Sequence, residues 1–220
     1  MKRHLVALAI GLAVMGTSSH AAPEKLKAFD HAAELTTQAK SILWRLLSES
    51  EVPTKAHPEV VCLAENIYFE ARAESLEGKA AVANVTRNRV ESDKFPNTYC
   101  GVVQEGPVRE SWKTRKDKSL ADEDRVYYPI KHRCQFSWYC DGERDIIWAN
   151  KEVSGQTIEA NARAWEKSVE VAIWTLGYGS YRVNDNTKGA IYYYAHNLVY
   201  PYWADTKTQT VVVGNHTFMK

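Results

Sequence analysis

The residues best suited to acid–base chemistry lie in the segment Asn66-Ile-Tyr-Phe-Glu-Ala-Arg-Ala-Glu-Ser75. Helical spacing places Glu70 on one face with Asn66 and Ile67, among residues that otherwise point inward. Burial raises the pKa of a carboxyl group because it penalises the ionised form. A carboxyl group that is still protonated near neutral pH can act as a general acid, as the cleavage of a glycosidic bond requires. The alternative is that Glu70 pairs with Arg72 or caps a turn.

A zinc hydrolase is the competing chemistry, since it needs three N, O or S ligands and an open fourth position. The candidate ligands are His196, His216 and a carboxylate such as Asp205 or Glu70. The sequence has no H-E-x-x-H motif and no close pair of histidines, so we expect no metal and no other cofactor. It also lacks the G-x-S-x-G motif of serine hydrolases.

Two consecutive helices are expected to carry the Glu70 segment. The apolar spacing predicts a helix over about Val60–Arg72 and another over Leu76–Glu91, with Ser75 as the N-cap of the second. Glu74 and Glu77 lie near this junction, and we expect them to be solvated or capping residues.

The remaining elements are read from periodicity and turn residues. Apolar residues from Ile158 to Leu176 recur at helical spacing, and Gly177 ends the pattern. The segments Ala190–His196 and Thr208–Val213 are β-branched or aromatic, which favours two short strands or an extended pair. Gln104–Arg133 shows no sustained period, so we interpret it as a long surface loop. The sequence therefore predicts a mainly helical α+β fold with a few short strands.

The N-terminal residues 1–21 have the pattern of a secretory signal peptide, with basic residues before a short apolar run and a small-x-small site. We expect cleavage after Ala21, export to the periplasm or the medium, and only transient membrane contact. A slowly released anchor is the alternative. Residues 22–59 are expected to form an amphipathic helix over 24–50 and a polar linker, and residues 60–220 the main domain.

The four cysteines are Cys62, Cys100, Cys134 and Cys140. In an exported protein they are expected to form two disulfides, although three pairings are possible. The short spacing favours Cys134–Cys140, which leaves Cys62–Cys100. A zinc site made from these cysteines is disfavoured because there is no C-x-x-C spacing.

The composition is that of an ordinary globular domain. The 220 residues are 45% apolar and 25% charged, which argues against disorder and against a polytopic membrane protein. Lys and Arg number 28 against 27 Asp and Glu, so no overall field favours nucleic acid. We expect a monomer without a nucleic-acid partner. The seven Trp and twelve Tyr suggest aromatic cleft surfaces that hold sugars or bases.

Four ordered blocks of the sequence resemble the SleB/CwlJ-type cell-wall hydrolases. The blocks are Cys62–Val90 with Phe95–Gln104, Cys134–Gly142, Gly189–His196, and Pro201-Tyr-Trp203 with Gly214–Phe218. The resemblance covers about Val60–Lys220. The chain departs from the family pattern at Ala73, where Gly is usual, a change that mildly alters the turn after Glu70.

The resemblance implies a catalytic domain distantly similar to lysozyme and the lytic transglycosylases, acting on peptidoglycan glycan strands. Glu70 takes the position of the family's catalytic glutamate, where it would protonate the oxygen between N-acetylmuramic acid and N-acetylglucosamine. Attack by the sugar's own C6 hydroxyl would make the enzyme a lytic transglycosylase, and attack by water a muramidase. No second carboxylate stands out, although Asp141 and Glu74 are candidates, and attack by the sugar's own hydroxyl removes the need for one. This favours the transglycosylase.

Several residues of the later blocks are candidates for substrate contacts through hydrogen bonds to N-acetyl groups or stacking on sugars. They are Gln135, Phe136, Ser137, Tyr192, Tyr194 and His196. For each aromatic residue, core packing is the alternative. Asn88 and Arg89 are either buried structural polar groups or substrate ligands, and His216 is expected to be structural.

Two further functions stay open at this stage. The family name has also been attached to N-acetylmuramoyl-alanine amidase activity, which is the alternative enzyme. A non-catalytic peptidoglycan-binding module is the alternative outside enzymes, and Glu70 would then be an ordinary charged residue. The sequence does not separate a bacterial autolysin from a phage lysin.

Overall fold

The computed structural model of the protein describes residues 33–147 and 154–220. Within them the fold is α+β and mainly helical with short strands, as the sequence predicts. The helices are α1 Thr37–Glu49, α2 His57–Ala71, α3 Leu76–Val90, α4 Tyr99–Val103, α5 Trp112–Lys116 and α6 Ser154–Thr175. The strands are β1 Glu34–Leu35, β2 Val108–Glu110, β3 Tyr127–Pro129, β4 Ile146–Ile147, β5 Tyr192–Ala195, β6 Gln209–Val213 and β7 His216–Met219. Short 3-10 turns lie at Thr54–Ala56, Asp122–Asp124, Ser137–Cys140 and Tyr202–Thr206.

Part of the N-terminal prediction falls outside these residues. The signal peptide expected over 1–21 and the start of the helix expected over 24–50 are not among the described residues. Across 33–147 and 154–220, no helix combines the length and the apolar character needed to cross a membrane.

Helix α2 is the centre of the helical core and packs against α3, α4 and α6. Its residues Leu63, Ile67 and Tyr68 are buried in one apolar cluster with Trp165 of α6. The rings of Tyr68 and Trp165 meet edge to face, with centroids 5.9 Å apart. Because α2 is surrounded, almost every face of it is apolar, and its polar side chains must find partners inside the protein.

Helix α1 begins later than the apolar pattern indicates. The prediction of one helix over 24–50 is wrong at residues 33–36, because β1 forms there and pairs in parallel with β4. The Thr36 hydroxyl then caps α1 by accepting a hydrogen bond from the backbone N–H of Ala39, at 3.3 Å. The pairing of β1 with β4 satisfies backbone hydrogen-bonding groups that precede the Thr36 cap. The residues before the cap therefore do not extend the helix.

The expected polar linker over 51–59 is also wrong, because this segment belongs to the packed core. Val52 and Ala56 are buried in the main apolar cluster. Helix α2 already begins at His57, and Pro58 suits its first turn because a helix needs no N–H donor there.

The segment 104–133 contains elements that the sequence analysis missed. Strands β2 and β3 pair antiparallel, with α5 between them in the chain. The guanidinium of Arg125 binds the Glu110 carboxylate at 2.8 Å and the carbonyl of Leu120 at 3.2 Å. Elements of three to five residues are too short to show a period, so the prediction of an irregular loop was wrong.

The C-terminal strands form a three-stranded antiparallel sheet in the order β5-β7-β6. The predicted segments 190–196 and 208–213 contain β5 and β6, which are not neighbours because β7 lies between them. Phe218 of β7 is fully buried with Ala81 and Val85 of α3. The sheet is therefore fastened to the helical core through its central strand.

The structure contains the disulfide pairing that the sequence analysis preferred. Cys62–Cys100 joins α2 to α4, and Cys134–Cys140 closes a short loop around the third 3-10 turn. The first bond ties α4 to the helix that carries Glu70, and both bonds restrict the unfolded chain.

The contact between α1 and α6 provides a stability test. The Trp165 indole is 0% exposed and donates a hydrogen bond to the Ala39 carbonyl at 3.0 Å. We expect Trp165→Ala to lower the free energy of unfolding by about 3–5 kcal/mol, since it leaves a cavity and removes this buried hydrogen bond. Urea denaturation followed by circular dichroism measures this.

The matched control is Trp44→Ala, because the Trp44 side chain of α1 is 57% exposed. We expect it to cost less than about 1 kcal/mol. Equal losses for the two variants would contradict the packing of α1 against α6.

Candidate active site

The carboxyl group of Glu70 lies where the end of α2 faces the C-terminal sheet. Glu70 is in the last turn of α2 and is partly buried. The Tyr193 hydroxyl on β5 donates a hydrogen bond to Glu70 Oε2 at 3.0 Å. A helix and a strand that are far apart in the sequence therefore hold this carboxyl group between them.

Burial raises the pKa of Glu70 above its ordinary value. The hydrogen bond from Tyr193 and the positive charge of Arg89 oppose this effect without cancelling it. The direction agrees with the expectation from the sequence. Such a carboxyl group holds a proton at a pH where an exposed glutamate has lost it, and its anion still has two stabilising neighbours once the proton leaves.

Arg89 of α3 supplies a fixed positive charge beside Glu70. The residue is 5% exposed, and its guanidinium lies 5.3 Å from the ring centre of Phe95 and 5.2 Å from that of Phe136. Its Nε donates to the carbonyl of Ile191 at 2.9 Å. Arginine is not deprotonated in proteins, so this charge persists despite its burial. Of the two alternatives left open for Arg89, the structure shows a buried polar group.

Glu105 is a second carboxyl group near Arg89, and sequence reasoning missed it because it lies in the expected surface loop. Burial raises the pKa of Glu105, and the positive charge of Arg89 opposes the shift. Its Oε2 is buried and makes no hydrogen bond in the structure. The only sequence signal for Glu105 was its place directly after the first matching block, which ends at Gln104.

A cleft of about 430 Å³ opens beside Glu105. It is lined by Glu105, Gly106, Pro107, Arg133, Cys134 and Gln135. Of the candidates in the second block, Gln135 and Ser137 are exposed, and the backbone N–H of Gln135 donates to the Glu105 carbonyl at 2.9 Å. Phe136 is buried beneath Arg89, so its ring packs in the core and does not face solvent.

The candidates on β5 lie on the other side of the strand from Glu70. Side chains alternate along a strand, so Tyr192 and Tyr194 point away from the face that carries Tyr193. Their rings pack on Trp203, with centroid distances of 5.9 and 5.8 Å. His196 is exposed beyond the end of β5. The tyrosine that contacts Glu70 is Tyr193, which was not among the candidates predicted from the sequence. Strand alternation was the available signal, because it places Tyr193 on the opposite face from Tyr192 and Tyr194.

The prediction that Glu74 is solvated or capping is wrong. Its side chain is 9% exposed, and its Oε1 accepts a hydrogen bond from Asn215 Nδ2 at 2.8 Å. Gly214, at φ +56°, lets the turn between β6 and β7 come close, because a Cβ there would overlap the Glu74 carboxylate. Glu77 is exposed, as expected.

Lys79 holds the end of α2 in place. Its ammonium group donates hydrogen bonds to three backbone carbonyls, those of Ala71, Arg72 and Glu74, at 2.8, 2.9 and 2.8 Å. The last carbonyls of a helix have no i+4 partner within the helix, so these bonds add acceptor contacts at a helix end where the Glu74 N–H also donates to the Ala71 carbonyl. Asn88 is similarly structural, since its amide donates to the Ala190 carbonyl at 3.0 Å.

The candidate zinc ligands each have other neighbours. His196 Nδ1 is 3.2 Å from the Thr217 hydroxyl, and Asp205 accepts a hydrogen bond from the Tyr200 hydroxyl at 2.6 Å. His216 is buried, with its ring edge to face with that of Tyr193. Among residues 33–147 and 154–220, no three His, Cys, Asp or Glu side chains are grouped closely enough to share a metal ion.

The Tyr193–Glu70 hydrogen bond makes a prediction about the pKa of Glu70. Replacing Tyr193 by Phe removes a donor that stabilises the carboxylate, so the pKa of Glu70 should rise further. NMR titration of the protein labelled with ¹³C at the glutamate side chains measures it. Tyr194→Phe is the matched control, since Tyr194 lies on the opposite face of β5 and should leave the pKa unchanged. A pKa that is the same in both variants would contradict the site geometry.

Comparison with known proteins identifies the family. The cell wall hydrolase family model matches residues 73–219, well over half of the chain, in a range that begins just after Glu70. A spore cortex-lytic enzyme of Bacillus subtilis strain 168 is 45% identical over 47 residues, which are 21% of this chain and 15% of that protein. The match thus spans only a small part of that relative.

Two solved structures are also similar. The catalytic domain of the germination-specific lytic transglycosylase SleB from Bacillus anthracis is 26% identical, with a TM-score of 0.46, over 77% of this chain and 100% of that structure. The catalytic domain of the Bacillus cereus SleB protein is 24% identical, with a TM-score of 0.40, over 74% of this chain and 89% of that structure. The family match confirms the resemblance found in the sequence: the chain belongs to the cell wall hydrolase family.

Proposed function

We propose that the protein cleaves the glycan strands of peptidoglycan between N-acetylmuramic acid and N-acetylglucosamine as a lytic transglycosylase, with Glu70 as its catalytic acid and base. The observation that carries this proposal is the partly buried Glu70 carboxyl group, whose pKa is raised by burial and which accepts a hydrogen bond from Tyr193. Membership of the cell wall hydrolase family supports the substrate class.

In the first step protonated Glu70 donates its proton to the glycosidic oxygen as the bond to C1 of the muramic sugar breaks. Positive charge develops on that sugar, and Glu70 becomes an anion. The Tyr193 hydroxyl and the Arg89 charge then stabilise the carboxylate, which lowers the energy of the charged state that the step creates. Burial keeps the acid protonated beforehand, and these two neighbours keep the proton transfer from being too unfavourable.

In the second step the Glu70 carboxylate removes the proton from the C6 hydroxyl of the same sugar, and O6 attacks C1. The products are a 1,6-anhydromuramic end and a free N-acetylglucosamine end, and Glu70 is protonated again. No water is consumed and no second carboxylate is needed. The two candidates for a second carboxylate are otherwise engaged, since Glu74 accepts from Asn215 and Asp141 accepts from the backbone N–H of Glu143.

A muramidase is the second candidate function, and the observation that favours it concerns the Glu105 carboxyl group. Its carboxyl group has an unpaired oxygen and interacts with the same Arg89 as Glu70. In this alternative Glu105 would activate the attacking water on the opposite side of the sugar. The proposed transglycosylase reaction leaves Glu105 without a role at the reacting atoms.

The cellular setting is part of the proposal. Residues 1–21 would direct export and be removed after Ala21, and the monomeric enzyme would act in the periplasm or outside the cell, where its substrate lies. Residues 60–220 would form the catalytic domain, with 22–59 as an N-terminal extension whose described part packs on the same core.

The test is a digest of purified peptidoglycan, with the soluble fragments analysed by mass spectrometry before and after borohydride reduction. We expect anhydromuramic ends, lighter by one water and resistant to reduction. Glu70→Gln should lower the rate by at least about 100-fold while leaving peptidoglycan binding intact, because the amide cannot transfer the proton. The exposed residue Glu77 provides the control Glu77→Gln, which should keep full activity.

Any other result of the digest indicates a different function. Reducible muramic ends would indicate a muramidase, and freed peptides with intact glycan strands an amidase. Peptidoglycan binding without release of fragments by the unmodified protein would indicate a binding module. Full activity of Glu70→Gln would refute the assigned acid whatever the product.

Glu105→Gln separates the two glycan-cleaving mechanisms. For the transglycosylase we expect the product to stay the same and the loss of activity at high pH to begin at a lower pH. The reason is that Glu105 no longer offsets the positive charge of Arg89, which then lowers the pKa of Glu70 more strongly. Initial rates over a pH series measure the shift. A loss of about 100-fold at every pH would instead assign Glu105 as the base of a muramidase.

A further inference from the structure

A cluster of exposed apolar side chains follows strand β5. Leu198, Val199, Tyr200 and Tyr202 are 81%, 54%, 63% and 91% exposed. Contiguous exposed apolar side chains cost free energy in water, and such patches commonly mark binding surfaces. We call Tyr200 and Tyr202, with the adjoining Leu198 and Val199, the aromatic platform. None of the four residues has a role in the acid–base chemistry proposed above.

The platform is held in a defined position by a layer of rings beneath it. The ring of Tyr194 lies edge to face with those of Tyr200 and Trp203, at centroid distances of 5.7 and 5.8 Å. The Tyr200 hydroxyl donates to Asp205 Oδ1 at 2.6 Å. Tyr202 and Trp203 are adjacent in the same 3-10 turn. The Tyr200 ring and the backbone that carries Tyr202 are thus fixed before any ligand arrives, which reduces the entropy that binding would cost.

A short series of contacts connects the loop that carries the platform to the end of the helix that carries Glu70. The backbone N–H of His196, at the start of the loop that carries the platform, donates to the Asn215 carbonyl at 3.1 Å. The Asn215 side chain donates to Glu74 at 2.8 Å. Glu74 follows Glu70 by four residues, about one helical turn. These contacts fix the position of the platform relative to the helix that carries Glu70.

We propose that the aromatic platform is a subsite that binds the peptidoglycan glycan strand beyond the bond that is cleaved. This inference rests on the proposed function, which supplies the class of ligand. Sugar rings present C–H faces that stack on aromatic rings, and their hydroxyl and acetamido groups need hydrogen-bond partners. The rings of Tyr200 and Tyr202 provide the stacking surfaces. The Asp205 carboxylate and the Tyr200 hydroxyl provide the hydrogen-bond partners.

The charge around the platform favours a glycan over a membrane surface. Segments that dock on anionic lipid combine exposed aromatic and apolar residues with several Lys or Arg. Residues 195–206 contain no Lys or Arg and include Asp205. Lys207 is the nearest cation in the sequence, and its ammonium lies over the Tyr192 ring, 4.2 Å from the centroid. The platform therefore lacks the basic residues that would attract an anionic bilayer.

The test measures binding in the Glu70→Gln background, so that the strand is not cleaved. Co-sedimentation with purified insoluble peptidoglycan compares Glu70→Gln alone with the same protein carrying Tyr200→Ala and Tyr202→Ala. We expect the two added substitutions to raise the dissociation constant by about tenfold or more, since they remove both stacking surfaces. Tyr202→Ala alone should show part of the effect, and its 91% exposure makes it a safe substitution for folding.

The matched control is Tyr181→Ala, because Tyr181 is 64% exposed, almost the same as the 63% of Tyr200, and lies against Trp174 of α6. It should bind peptidoglycan like its parent. With Glu70 intact, Tyr202→Ala should raise KM for long strands and leave kcat unchanged on a soluble fragment with one cleavable bond. Unchanged binding by the double variant, or an equal loss in Tyr181→Ala, would overturn the platform as a glycan subsite.

Two further outcomes separate this inference from the proposed function. If the unmodified protein releases no glycan fragments but the platform variants still lose peptidoglycan binding, the subsite stands and the catalytic proposal fails. If the unmodified protein instead binds vesicles of anionic phospholipid through Tyr200 and Tyr202, and binds peptidoglycan independently of them, the platform is a membrane-docking surface and this inference is wrong.

Discussion

The hydrogen bond from Tyr193 to Glu70 joins two parts of the chain that are separated by 123 residues. It forms only if the last turn of α2 and strand β5 pack together with their side chains in the correct register. The burial that raises the pKa of Glu70 comes from the same packing. The position and the protonation of this carboxyl group therefore both depend on how the helical core meets the small sheet.

Other buried polar groups maintain this junction. Lys79 binds the carbonyls that end α2, and Arg89 binds the Ile191 carbonyl just before β5. Both residues are on α3, which also packs against the central strand through Val85 and Phe218. One helix thus sets the distance between the helix that carries Glu70 and the strand that carries Tyr193. A buried charge has a high desolvation cost, and these hydrogen bonds and ring contacts offset part of it.

Strand β5 has different surroundings on its two faces. Tyr193 points toward α2 and α3, where it contacts Glu70 and packs beside Phe218. Tyr192 and Tyr194 point the other way and support the layer on which Tyr200 stands. Side chains that are adjacent in the sequence of β5 thus lie on opposite faces of the strand. One face contacts the proposed acid, and the other supports the aromatic platform.

The sequence by itself predicted the long helices and the family and favoured one cysteine pairing of three, because helical periods, short cysteine spacings and ordered motifs are local. It also singled out Glu70, whose neighbours along α2 share its buried face. Only the tertiary structure decided which tyrosine contacts Glu70, that Glu105 lies near Arg89, and that Glu74 is buried against Asn215. Those contacts join segments that are far apart in the chain. They depend on the strand order of the sheet and on the register of β5, and the local pattern of a four-residue strand specifies neither.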